Sequence, residues 1–259
     1  MRLQVLSSGS KGNATLVRAG EACLLVDAGL GPRNLRDRLE VAQLGPRALD
    51  HVLVTHGHLD HSRSAGAVAK RHDATVHCAP SLLEHRAVIR APRVAALPVG
   101  GSAQLDARGE AVTVTTARLP HDCDPTVGVA LDHDGRRAVV LTDLGLPDRE
   151  VARTLAGAHV LVLEFNYDPG MLDAGPYPER LKDRIRGGRG HLSNQQGAEM
   201  LRLLAGPQLH TVILAHLSAH NNEPDLALAA ARGALTELGR EDVVLLVARQ
   251  DVPLDPIAV

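Results

Sequence analysis

The chain of 259 residues contains few aromatic side chains, with one Phe, two Tyr and no Trp. Its core must therefore be built mainly of Leu, Val and Ala. The shortage of aromatics also argues against a nucleic-acid platform made of stacked rings. If a nucleic acid is the substrate, contacts to its phosphates must hold it.

The chain also has few cysteines and no net positive charge. The three cysteines, Cys23, Cys78 and Cys123, are an odd number without a C-x-x-C pair, which indicates reduced thiols and not a disulfide framework. Cys123 lies near His121 in the sequence and is either a metal ligand or a plain thiol. The formal net charge is −2 with fourteen histidines counted as neutral, so no global basic field attracts polyanions.

Long apolar segments are absent as well. No run reaches the length of about 18 apolar residues that a membrane span needs, and residues 1–4 lead into a strand without an apolar signal segment. We therefore expect a cytoplasmic protein without a membrane partner. The content of 44% hydrophobic and 22% charged residues is ordinary for a globular enzyme, and no linker interrupts the chain, so we expect a single domain over residues 1–259. The sequence does not indicate an oligomeric state.

One short stretch concentrates candidate metal ligands. Residues 52–54 are predicted to form a buried strand, because β-branched residues suit a pleated sheet. His56 and His58 follow two residues apart, so in an extended segment both imidazoles leave the same face and can share one cation. Asp60 and His61 come where the chain turns into a helix, and they can point at a second cation. Without a cation, packing these groups together would cost roughly several kcal/mol.

Other polar residues end predicted strands. His121 and Asp143 have the placement of metal ligands, although either could be an ordinary loop residue, and the apolar run 211–215 delivers His216. Asp27 ends the buried strand 23–26, where its carboxylate can accept bonds from loop amides. We expect Asp27 to support the site without binding a metal.

The apolar pattern predicts an α/β protein. Strands and helices alternate up to Val94, strands pair beyond it with a turn at 134–135, and alternation then returns. Helices are predicted over residues 32–44, 62–71, 80–89, 178–186 and 226–238. Residues 7–13 form a loop of small residues that either presents amides to an anion or is a hairpin turn; the P-loop spacing is absent.

The motif His56-x-His58-x-Asp60-His61, followed in order by His121, Asp143 and His216, resembles the metallo-β-lactamase superfamily over the whole chain. Segments 7–14, 190–194 and 216–218, the last followed by Asn221-Asn222, look like its YycJ (WalJ) branch. The resemblance implies a layered α/β fold, the four-layer αββα sandwich of the metallo-β-lactamase type, with a two-metal site along one edge of the sheets. It also implies phosphodiesterase or DNA exonuclease activity.

The same resemblance distributes the ligands. It implies that His56, His58 and His121 hold one metal, that Asp60, His61 and His216 hold the other, and that Asp143 lies between the two. A carboxylate in that position holds two cations roughly 3.5–4 Å apart, and a hydroxide bound between them would be the nucleophile. Asp60 is expected to take part in catalysis by orienting this hydroxide. Mixed nitrogen and oxygen ligands suit Zn²⁺ or Mn²⁺, and the affinity order does not choose between them.

The expected substrate is a nucleic acid or a small phosphodiester. Asp143 stands where many antibiotic-hydrolysing relatives have a cysteine, and the segment between Asp143 and His216 is too short for the large inserted domain of RNA-processing relatives. A glyoxalase II-like thioesterase shares the ligands and is the alternative. A non-catalytic metal-binding regulatory module comes third, because the ligand set is intact.

Two further sets of residues are candidates for substrate binding. His191 follows a glycine-rich loop and precedes a helix capped by Ser193, so it lies near amides and a positive helix end that favour an anion. We assign it to the substrate phosphate, where it can stabilise charge or supply a proton; the alternative is a surface histidine at a helix end. Arg186 and Arg189 are expected to contact substrate, and they belong to a basic segment, residues 180–189, that could also be a solvated helix face.

Overall fold

The computed structural model describes residues 1–259, in which fourteen strands form two seven-stranded sheets. In pairing order, the strands of the first sheet are β14 (Ile257–Ala258), β1 (Arg2–Ser7), β2 (Ala14–Ala19), β3 (Ala22–Val26), β4 (His51–Val54), β5 (Thr75–Cys78) and β6 (Arg93–Ala96). Those of the second sheet are β13 (Val244–Val247), β12 (Thr211–Ala215), β11 (Val160–Glu164), β10 (Arg136–Leu141), β9 (Thr126–His133), β8 (Glu110–Leu119) and β7 (Gly101–Ala107).

Eight α-helices connect and cover the strands. They are α1 (Pro32–Val41), α2 (Leu59–Ser62), α3 (Ala65–His72), α4 (Arg149–Thr154), α5 (Pro169–Ala174), α6 (Glu179–Arg186), α7 (Asn194–Leu204) and α8 (Pro224–Glu237). None of them is both long enough and apolar enough to cross a membrane.

Three apolar cores separate four layers. One core packs α1 and α3 against the first sheet, through residues such as Leu35, Val68 and Val52. A second lies between the two sheets, and a third packs α4, α7 and α8 against the second sheet. The αββα sandwich expected from the sequence is confirmed. Apart from Phe165 and Tyr167, which are buried, the large core residues are aliphatic.

The strand directions bring the polar strand ends to one edge. Strands β3 to β6 run parallel, and so do β10 to β13. Since the carboxyl ends of parallel strands lie at the same edge of a sheet, the residues that follow β3, β4, β10, β11 and β12 gather there. Three of these residues turn the chain in the left-handed region, Asp27 with φ 63°, Asp143 with φ 64° and His216 with φ 57°. Such a conformation is uncommon for non-glycine residues and is typical of functional sites.

Some expected elements differ from the structure. The helix expected over 80–89 is wrong: only Pro80–Leu82 form a short 3₁₀ helix, and turns follow, in which the carbonyl of Ala87 accepts from the Gly66 amide at 2.8 Å. The helix expected over 62–71 is divided into α2 and α3. Helix α1 ends at Val41, before 44, since Gln43 adopts a positive φ of 56°. Strands β6 and β7 were not expected, because their mixed polar and small residues give no clear period.

Candidate metal centre

The seven residues that the sequence nominated as metal ligands come together at the shared carboxyl edge of the two sheets. We call them the seven-residue cluster: His56, His58, Asp60, His61, His121, Asp143 and His216. Each residue comes from a loop that directly follows a strand or from the first turn of α2. The sandwich thus joins segments far apart in the chain into one site.

The first group in the cluster consists of His56, His58 and His121, whose donor atoms lie within 4.8 Å of one another. His121 Nε2 is 3.3 Å from His58 Nδ1. His121 donates through Nδ1 to the carbonyl of Gly190 at 3.0 Å, which leaves its Nε2 lone pair facing the group. Thr55 Oγ1 lies 3.1 Å from His56 Nδ1, on the side away from the group. Three imidazoles with converging nitrogens can hold one cation and leave a coordination position open.

The second group consists of Asp60, His61 and His216, whose donor atoms also lie within 4.8 Å of one another. Asp60 Oδ2 is 3.5 Å from Nε2 of His61 and 3.5 Å from Nε2 of His216. Asp27, as expected, supports this group: its Oδ2 accepts from His61 Nδ1 at 2.7 Å, and its Oδ1 accepts from the Thr55 amide at 2.9 Å. The buried Asp27 carboxylate therefore fixes the His61 ring with Nε2 turned to the cluster.

Asp143 lies between the two groups and is buried. Its Oδ2 is 3.1 Å from His61 Nε2, and its Oδ1 is 3.7 Å from His121 Nε2 and 3.9 Å from His216 Nε2. One carboxylate thus faces donors of both groups, which is the position that a bridging ligand needs.

The buried donors of the cluster suit divalent cations. His56 Nε2, His216 Nε2 and Asp143 Oδ2 are buried and have no hydrogen-bond partner. Each buried polar atom without a hydrogen-bond partner costs about 1–3 kcal/mol of stability. Imidazole nitrogens and carboxylate oxygens are ligands of Zn²⁺ and Mn²⁺, so cations bound here would satisfy all three atoms.

Charges within the cluster are strongly coupled. Burial disfavours ionisation of Asp60, but His216 and His61 outweigh it and lower the pKa of Asp60 to about 2. Burial also disfavours a charged His216, but Asp143 and Asp60 raise the pKa of His216 to about 9. Burial holds the pKa of His56 well below its usual range. The site thus places anionic oxygens beside imidazole nitrogens, and metal ions would replace the protons that these groups share.

The loop of residues 7–13 contacts two residues of the cluster, His61 and His216. It joins β1 to the antiparallel strand β2, so the hairpin interpretation is confirmed. Ser8 Oγ accepts from the His216 amide at 2.8 Å, and the Asn13 side-chain amide is 3.0 Å from His61 Nε2. The first loop of the chain therefore positions two candidate ligands.

Glu164 is a functional candidate that the sequence reasoning missed. It ends β11 and is fully buried. Its Oε1 accepts from His191 Nδ1 at 2.9 Å, and its Oε2 accepts from the Asp143 amide. The signal was present, because a glutamate at the end of an all-apolar strand is out of place unless it is bonded. His191 itself lies at the cluster, with Nδ1 3.7 Å from Asp143 Oδ1.

A cavity of about 470 Å³ opens over the cluster, within the usual range of ligand sites. Helix α6 contributes Leu181, Arg184 and Ile185 to its wall, spaced i, i+3 and i+4 on one helix face. Arg184 donates through Nε to Asp122 Oδ2 at 2.5 Å, and Asp122 Oδ1 lies 3.3 Å from His58 Nε2. Arg184 and Asp122 are therefore the charged residues of this wall.

The two arginines expected to contact substrate lie elsewhere. Arg186 is on another face of α6, does not line the cavity, and pairs with Asp173, Glu179 and Asp183 at 3.1–3.2 Å. Arg189 donates to the backbone carbonyl of His121 at 2.9 Å. Contact of either with substrate stays a prediction.

Cys123 remains a plain thiol in this arrangement. It is free and half-buried, none of the residue groups that could hold a metal includes it, and burial raises its pKa. A protonated thiol is a poor ligand.

Comparison with known proteins agrees with this architecture. Residues 23–217 match the family model described as a beta-lactamase superfamily domain. The chain is 30% identical over 243 residues to the exodeoxyribonuclease YycJ of Bacillus anthracis, covering 92% of this chain and 90% of that protein. It is 28% identical over 290 residues to the ribonuclease Z of Kineococcus radiotolerans, covering 94% and 90% respectively.

Among solved structures, the Zn²⁺-bound PqqB of Methylobacterium extorquens superposes with a TM-score of 0.72 at 18% identity, covering 98% of this chain and all of that one. A likeness at this identity concerns the fold. The match of the family model over most of the chain decides the family, and the resemblance found in the sequence is confirmed. The chain belongs to the metallo-β-lactamase superfamily of hydrolases.

Proposed function

We propose that the protein is a phosphodiesterase that acts on DNA as an exonuclease and uses two divalent cations. His56, His58 and His121 would hold one cation, Asp60, His61 and His216 the other, and Asp143 would bridge them. The observation that carries the proposal is the position of Asp143, whose two oxygens face donors of both groups. The similarity to the exodeoxyribonuclease YycJ over 92% of the chain supports DNA as the substrate.

The cations, when bound, would act as Lewis acids on the phosphoryl oxygens and would lower the pKa of a water molecule. Asp60 lies at the cavity surface of the cluster and presents a carboxylate there. It can therefore accept a hydrogen bond from the attacking water and orient it, as the sequence suggested.

His191 is the proposed proton donor. It lines the cavity, and its Nδ1 donates to the buried carboxylate of Glu164, so Nε2 remains for the substrate. The Glu164 carboxylate behind the ring also fixes its orientation. When it carries a proton, Nε2 can donate to a non-bridging phosphoryl oxygen or deliver the proton to the leaving oxygen. Arg184, which also lines the cavity, adds positive charge beside the substrate anion.

The test compares substrates of different classes with one enzyme preparation. The purified protein is loaded with Mn²⁺ or Zn²⁺ and assayed against end-labelled single- and double-stranded DNA, RNA, bis-p-nitrophenyl phosphate and S-lactoylglutathione. We expect stepwise loss of nucleotides from a DNA end and about two metal ions per chain. Turnover of the thioester without cleavage of any diester would favour the glyoxalase II-like alternative, and the absence of bound metal would overturn every enzymatic proposal.

His191→Ala separates the proton donor from the metal ligands. We expect this variant to keep its metal content and melting temperature while losing roughly a hundredfold or more in turnover of diesters. Parental turnover would remove His191 from the mechanism, and loss of a metal ion would make it a ligand.

A further inference from the structure

The three Phe and Tyr side chains of this chain are in two different environments. Phe165 and Tyr167 are buried in the protein. Tyr177 is only partly buried, between α5 and α6, and its ring lines the cavity over the seven-residue cluster. The one aromatic ring of these three that a ligand can reach is thus beside the candidate metal centre.

The cavity has two chemically different walls. Four of the candidate metal residues, His58, Asp60, Asp143 and His216, form a polar wall together with His191. Tyr177, Leu181 and Ile185 form the apolar part of the opposite wall, contributed by α6 and the segment before it, and Arg184 lies beside them. A substrate that fills this cavity presents an anionic group to the first wall and an apolar, flat group to the second.

The position of Tyr177 is fixed by the loop that carries His216. A Cβ built on Gly175 would lie 2.5 Å from Asn221 Oδ1, so only glycine allows this close approach of the two segments. The Asp168 amide donates to the Asn221 carbonyl at 2.8 Å. The Tyr177 ring also packs edge to face with His220, with centroids 5.8 Å apart and planes at 69°. Tyr177 therefore keeps a defined place relative to the cluster.

We propose that Tyr177 stacks on the nucleobase of the nucleotide whose phosphodiester lies at the candidate metal centre. The inference rests on the proposed function and names the part of the substrate that the apolar wall binds. Stacking on an aromatic ring contributes about 1–3 kcal/mol per base and tolerates every base, because all four have a flat π face. The three side chains of the apolar wall offer apolar carbons, and the arginine beside them, Arg184, is paired with Asp122, so the contact selects a nucleotide over a plain diester without selecting a sequence.

The test uses two oligonucleotides that differ only in whether their end residues carry bases. The metal-loaded enzyme is given a single-stranded oligonucleotide, and a second one in which the residues flanking the terminal phosphodiester at both ends are abasic tetrahydrofuran analogues. The parent enzyme and the variants Tyr177→Leu and Tyr177→Phe are compared by kcat/KM on both substrates. Tyr177→Leu keeps an apolar side chain but removes the ring, and Tyr177→Phe keeps the ring.

We expect the parent to prefer the base-bearing substrate about 5- to 150-fold, the ratio that 1–3 kcal/mol corresponds to. Tyr177→Phe keeps this preference, whereas Tyr177→Leu loses it while its kcat/KM on the abasic substrate, its metal content and its melting temperature stay parental. An unchanged preference in Tyr177→Leu, or an equal loss on both substrates, overturns the inference.

The same experiment distinguishes this inference from the proposed function. If the parent degrades DNA but shows no preference for the base-bearing end, the stacking inference fails and the proposed function stands. If the parent cleaves neither oligonucleotide, with two metal ions bound, the proposed function fails and the inference fails with it.

Discussion

Replacement of Glu164 by glutamine tests the least expected part of the site. The Glu164 carboxylate is fully buried and accepts four hydrogen bonds. Oε2 accepts from the amides of Asp143 and Leu144, and Oε1 accepts from the Leu192 amide and from His191 Nδ1. One side chain thereby positions a candidate bridging ligand and the proposed proton donor.

The loss of stability expected for Glu164→Gln follows from these hydrogen bonds. A glutamine amide has one oxygen, so its NH₂ group must face donors on one side. Turned towards Asp143, it would break two backbone bonds; turned towards His191, it breaks one backbone bond, the 3.3 Å bond from Leu192, and His191 Nδ1 must then accept from the amide instead of donating. The second orientation is therefore favoured. A hydrogen bond to a charged group contributes about 1.5–3 kcal/mol, so we expect the free energy of unfolding to fall by about 2–3 kcal/mol and the melting temperature by about 5–10 °C.

The effect on turnover should be larger than the effect on stability. An amide facing His191 must donate to Nδ1 instead of accepting from it, which changes the tautomer and orientation of the ring, and a positioned acid or base contributes typically 10²–10⁴-fold to a rate. We expect Glu164→Gln to lose turnover on that scale while its metal content stays parental. The matched control is Glu237→Gln, which removes one charge from an exposed pair with Arg202 at 2.7 Å; we expect less than a twofold change in rate there.

The assay is kcat on a chromogenic diester, combined with metal analysis and thermal melting of the same samples. Parental turnover in a variant that melts lower would refute the role of Glu164 in positioning His191. Loss of a metal ion would transfer the effect to Asp143.

Three further predictions concern the cluster, the fold and the cavity. His216→Ala should lose a metal ion and activity, whereas His210→Ala, at the other end of the same strand β12, should retain both; metal analysis decides, and two ions in both variants would exclude His216 as a ligand. Burial lowers the pKa of His77 to about 4 in the folded protein, against about 6.5 when unfolded. Between these two values the unfolded chain binds more protons than the folded protein, so the free energy of unfolding falls by about 3 kcal/mol as the pH drops from about 6.5 to about 4. Urea unfolding of His77→Leu should lack that decline, and an unchanged decline would mean that other groups cause it. Arg184→Ala should raise KM for DNA several-fold and flatten its salt dependence, whereas Arg186→Ala, on the face of α6 away from the cavity, should leave both within twofold; equal effects would support the contact of Arg186 with substrate that the sequence predicts.

The candidate ligands could be identified from the sequence because of local rules. His56 and His58 are two apart after a β-branched run, and polar residues such as Asp143 and His216 directly follow apolar strands. The order of these residues along the chain resembles the metallo-β-lactamase superfamily, and that resemblance implied that residues far apart in the chain belong to one site. The helix expected over 80–89 was wrong because its backbone bonds form successive turns and a contact to Gly66 on α3, which a local pattern does not reveal.

The sequence by itself determined the alternation of strands and helices and the set of chemically suitable donors, because strand periodicity and ligand spacing are local properties, and the resemblance of its motifs implied the family and the layered fold. Only the tertiary structure decided which side chains face the cavity. The basic segment 180–189 looked uniform, yet the orientation of α6 directs Arg184 to the cavity and Arg186 to its acidic neighbours. The role of Glu164 was also hidden, since its four donors come from two distant loops. Such contacts arise from packing between layers, and no spacing along the chain encodes them.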